Sequence, residues 1–240
     1  MRHFTRVAPI MPASIQAAAY ADAEILFDWH KIEGIKGCAI TGIQAVIRGT
    51  NGADQAAATT VGMDLFFATS HIPTPNDGVN VSIDVVPPTL GTTGAAVDTP
   101  GWFNNLVGYG PIVAVNQSDG DLVYLNMAAQ SDLSIPIGAD VYVAAISKGA
   151  FDFRTTVTLD ESGNHAAGAA TVITVADRVI TPNFAPGDII HAVDDAVVGT
   201  IKTVDSDTQF TLTKANVDAL TDDDVLYNVT PIQFIITSED

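Results

Sequence analysis

Only one cysteine, Cys38, occurs in the 240 residues, so no intrachain disulfide and no Cys-based metal centre can be built. Cations are scarce too: 10 Lys and Arg stand against 28 acidic residues, a formal net charge of −18. Phosphate backbones and anionic membranes are bound by clustered Lys and Arg, so neither nucleic acid nor such a membrane is an expected partner. Glutamate is nearly missing, with 24 of the acids Asp and 4 Glu. Long apolar runs are absent; Val141–Ile146 is far too short to cross a bilayer. Pro9 and Pro12 break the segment after Met1–Arg6 before any apolar leader core forms, so the chain reads as soluble. Charged residues reach only 16% against 47% hydrophobic, which excludes a solvated acidic tail and leaves enough apolar surface for a real core.

What is present is alternation. Ile25, Phe27 and Trp29 share one face of a strand, as do Ala39, Thr41, Ile43, Ala45 and Ile47. Met63, Leu65 and Phe67 repeat the pattern, followed by Val81, Ile83 and Val85 before Pro87-Pro88. Residues 112–116 and 122–126 flank a turn containing Asp119-Gly120, a hairpin signal. Helical signal is confined to Pro12–Tyr20 and Ala215–Leu220. The spacing predicts an all-β protein: a larger N-terminal β-sandwich or jelly-roll-like domain and a small C-terminal β-barrel module.

The module is expected over 160–230, with strands at 171–175, 189–193, 197–204, 210–213 and 225–229. The larger domain takes 1–159, with 231–240 as a closing strand. Two arrangements fit the flanks. Either 151–159 pairs with 232–237 as a stem below the barrel, or the two domains follow in series. Residues 1–149 carry 13 acids and 6 bases, net −7; residues 150–240 carry 15 and 4, net −11.

Gly49–Ser147 holds nine Asp and no Lys or Arg. Without cations of its own, that stretch turns its carboxylates to water, to free cations or to a basic partner. Catalytic and cofactor motifs are missing: no Gly-x-Ser-x-Gly elbow and no phosphate-binding Gly-x-x-x-x-Gly-Lys loop occurs. His3, His30, His71, His165 and His191 show no metal-ligand spacing. Cys38 reads as a buried structural thiol, Lys36 on its strand face being the one argument for reactivity. The Asp groups 119/121, 194/195, 205/207 and 222–224 suit turns; none has the calcium-loop spacing. No catalytic, cofactor or metal residue is therefore assigned, and no cofactor is expected.

Several stretches carry a resemblance. Ile25-Leu26-Phe27-Asp28-Trp29, Gly37–Gly42, Arg48–Gln55 and Asp64–Ala68 are similar to virion structural proteins of tailed phages from marine bacteria. Phe184–Ile190, Val198–Ile201 and Thr208–Thr213 resemble the small β-modules appended to many such proteins. The resemblance implies a non-enzymatic particle component, most directly a capsid decoration or cement protein. A tail, neck or baseplate part is the alternative, and a fibre-associated polysaccharide-degrading enzyme the competing class. It implies the major capsid protein or other virion proteins as partners, a closed homo-oligomer such as a trimer, and a place on the particle exterior after assembly in the host cytoplasm. Arg2 and Arg6, in a Pro-interrupted segment with little core of its own, are the candidate partner-binding residues. On that reading residues 1–14 are removable without harm to the fold.

Overall fold

A computed structural model describes residues 2–7, 9, 20–35, 39–47, 62–69, 93–96, 106–119, 122–127, 133–134, 140–149, 156–160, 165–176, 184–192 and 196–239. These residues are all-β, with no helix among them. Nine strands form one sheet: β1 (Arg2–Val7), β2 (Ile25–Ile32), β3 (Ala39–Ile47), β4 (Met63–Thr69), β5 (Leu106–Asp119), β6 (Leu122–Met127), β7 (Leu133–Ser134), β8 (Val141–Ser147) and β15 (Ile232–Glu239). Their order is β1-β15-β3-β6-β5-β4-β8-β2, with β7 also on β3.

Alternation explains the faces. In β15, Ile232, Phe234 and Ile236 are buried while Gln233, Ile235 and Thr237 between them are half-buried. In β4, Met63, Leu65 and Phe67 enter the core. β8 lies between two neighbours and is buried on both faces over Val141–Ala145, hence its unbroken apolar run.

The nine strands make one hydrogen-bonded sheet that curls over the main core. Phe27 of β2 packs on Phe234 of β15, ring centroids 5.7 Å apart, although these strands stand near opposite ends of the order. Thr5 of β1 donates from Oγ1 to the Glu33 carbonyl just past β2, at 3.2 Å. Sheet twist brings the ends together, and each fully buried phenylalanine stabilises the curl by roughly 1.5–3 kcal/mol.

The uniform face expected along 39–47 is interrupted. Thr237 pairs with Gly42 but Ser238 pairs with Ile40, so the register skips Thr41. This bulge turns Ile40 into the same core as Ile43 and Ala45, and Thr41 Oγ1 bonds the Thr237 carbonyl at 3.3 Å. The hairpin expected near Gly120 is made: Asp119 pairs with Leu122.

Six strands form a second sheet: β9 (Thr156–Thr158), β10 (Val172–Thr174), β11 (Ile189–Ala192), β12 (Val197–Ser206), β13 (Gln209–Leu212) and β14 (Val225–Asn228). The order β10-β13-β12-β11-β14-β9 returns on itself. Leu159 bridges Val175, Asp160 N–H bonds Thr174 O at 3.0 Å, and Ala176 N–H bonds Thr158 O at 2.9 Å. Phe184 stacks on Phe210 inside, with centroids 6.3 Å apart. The Pro186-Gly187 turn enters β11 with Gly187 at φ +96°, a left-handed value open to glycine without Cβ strain.

The expected stem is not formed. β15 pairs with β1 and β3, while β9 pairs with β14. Pairing β15 into the large sheet buries three large apolar side chains, which a two-strand ribbon cannot do. Nor is 215–220 a helix. Buried Asn216 accepts from Ala170 N–H through Oδ1 at 2.7 Å and donates from Nδ2 to Ala166 O at 3.0 Å and Asp218 O at 2.7 Å. These bonds hold an irregular loop across to 166–170, as Asn side chains do when they compete with helical backbone bonding. The expected helix at 12–20, except Tyr20, and the strand at 81–85 lie outside the described residues.

Candidate functional site

Among the described residues, a cluster of polar side chains sits on the outer face of the large sheet. β4 alternation that sends Met63, Leu65 and Phe67 inward sends Asp64, Phe66 and Ala68 outward. Phe66 stands opposite Ala144 of β8 and Tyr109 of β5. The Phe66 and Tyr109 rings lie 5.2 Å apart, tilted by 44°. Partly buried Trp29, Phe66 and Leu106 surround buried Ile25 and Ala144 on this face.

Asp64 is only 7% exposed, and both its oxygens are used. Tyr109 donates its hydroxyl to Oδ1 at 2.9 Å, and Lys148 Nζ meets Oδ2 at 2.7 Å. The hydrogen bond to Asp64, with its charge, holds the Lys148 ammonium above the ordinary lysine range. Burial, then the bond to Asp64, pushes the Tyr109 hydroxyl up. Both groups are thereby moved away from neutral pH, where a general acid or base works best. Chemically the trio is a clamp between β4, β5 and the end of β8.

A second pair repeats the arrangement. Lys31 Nζ lies 2.9 Å from buried Asp140, with Glu33 more loosely placed at 3.8 Å. The Asp140 hydrogen bond is the main cause that raises Lys31. The expectation that carboxylates of the cation-free stretch turn to water, free cations or a basic partner therefore fails for Asp64 and Asp140, which pair with lysines of the chain itself. Lys148, directly after the stretch, and Lys31, well before it, neutralise them, because an unpaired carboxylate at that depth is costly. The other seven Asp lie where no side chain is described.

In the six-stranded sheet the polar groups knit loops. Asp188 Oδ2 accepts from Ala185 N–H and from Asn228 Nδ2, both at 2.8 Å. Thr230 donates its N–H to Asn228 Oδ1 at 2.8 Å, and its hydroxyl oxygen accepts from Ile189 N–H at 3.1 Å. This chain of bonds ties the 185–189 turn to the passage from β14 into β15. Asp224 closes the 221–224 turn by accepting from Thr221 N–H at 2.6 Å. Thr211 donates to Asp205 at 2.6 Å, and this bond, with a second from Thr203, lowers the Asp205 carboxyl below its ordinary value. Among the described residues no three His, Cys, Asp or Glu side chains gather as metal ligands.

Arg2 and Arg6 lie in β1, opposite Glu239 and Ile235 of β15. Their side chains are outside the described set. The segment is not without a core: all six residues of β1 are in register with β15, and Val7 is buried. The described histidines stay apart: His3 is in β1, His191 in β11, and His165 bridges Leu220. His30 lies at the β2 edge, its Nδ1 3.0 Å from the Asp28 carbonyl; as that oxygen only accepts, the ring nitrogen donates. Cys38 and His71 fall outside the described residues.

Sequence reasoning missed Asp64, Tyr109 and Lys148. The available signals were an Asp inside an apolar alternation and the first cation after a long gap. Neither says that the two meet. Comparison with protein-family models, with curated proteins and with solved structures finds no match.

Proposed function

We propose that this chain is a non-enzymatic structural protein of a tailed-phage virion, of the capsid decoration or cement kind. The sequence resemblance is its origin, and one structural observation supports it. The strands of the six-stranded sheet fall between β8 and β15, and their first and last members, β9 and β14, are paired neighbours. A body that presents a small acidic unit from two adjacent connections suits a protein with one side on a particle and another in solvent. We read the curled sheet as the sandwich or jelly-roll-like body and the self-closing sheet as the small barrel. The body docks on the major capsid protein or another virion protein, as a closed homo-oligomer such as a trimer. Arg2 and Arg6 fasten it from the β1 edge strand, and the barrel faces outward.

Cryo-electron microscopy of purified particles tests this. Density for the curled body on the shell, at a copy number that follows the capsid lattice, supports the reading. Copies that follow the axial symmetry of the tail move the protein to a tail, neck or baseplate position. Absence from particles overturns both.

A further inference from the structure

We draw no further inference here: the strongest candidate, the patch of Trp29, Phe66 and Tyr109 on the outer face of the nine-stranded sheet beside the Asp64–Lys148 pair, carries nothing because nothing in the structure shows what covers it.

Discussion

At the scale of single residues, several described polar side chains act on the protein's own backbone. Asn216 satisfies one N–H and two carbonyls at zero exposure. Replacing it with Ala strands those groups and costs roughly 2–4 kcal/mol. Asn216→Asp should be worse at neutral pH, since a carboxylate faces two carbonyl oxygens. That carboxyl would have a raised folded-state pKa, so the loss is relieved as pH falls through it and one donor returns. Thermal melts of both variants between acid and neutral pH check this; a pH-independent Asn216→Asp deficit would contradict the assignment. The Asp64–Lys148 pair behaves differently, because the Lys148 side chain is 51% exposed. Lys148→Met should cost about 1 kcal/mol, and adding Asp64→Asn should recover part of it by removing the uncompensated charge. Lys148 and Lys31 are both raised on folding. Their contribution is fully present below the ordinary lysine value of 10.5 and lost as pH climbs through the higher folded value. Urea midpoints of the wild type and Lys148→Met should therefore converge in strong alkali.

Among the elements, the two sheet ends are finished in different ways. β2 shifts register twice against β8, and the His30 ring bonds its Asp28 carbonyl. Bulges and side-chain caps of this kind blunt an edge against further pairing. β1 is instead regular along its whole length and covers β15. Its removal would bare the β15 edge and uncover the core beside Val7. Deletion of residues 1–14 is thus expected to lower the melting temperature and promote concentration-dependent association, contrary to the harmless truncation read from composition. Calorimetry with sedimentation velocity decides the matter. An unchanged melting temperature with a monomeric truncation would show β1 to be dispensable. Binding by Arg2 and Arg6 is then better probed by side-chain substitution than by truncation.

For the molecule as a whole, the described strands divide between two hydrogen-bonded sheets, each with its own apolar core. The six-stranded sheet closes through bonds internal to it, between residues 158–160 and 174–176. A fragment covering 156–231 should consequently fold alone, with dispersed amide resonances and a cooperative melt. Its stability would be only a few kcal/mol, as small cores allow. A collapsed amide spectrum would mean that the closing bonds depend on the larger sheet.

Much of this was legible along the chain. Strand positions in β4, β8, β15 and the module, the inward faces of Met63, Leu65 and Phe67, and the hairpin at 119–122 follow from alternation and turn chemistry, which act between near neighbours. Three things were decided only by the tertiary structure. The strand order and curl depend on pairings between distant residues, for which backbone hydrogen bonds are the same whichever partner is chosen. The bulge at Thr41 reverses a face because β15 and the core together fix the register, overriding local periodicity. The Asp64–Lys148 and Asp140–Lys31 pairs arise because burial of a carboxylate demands a partner, and only folding determines which cation comes within reach.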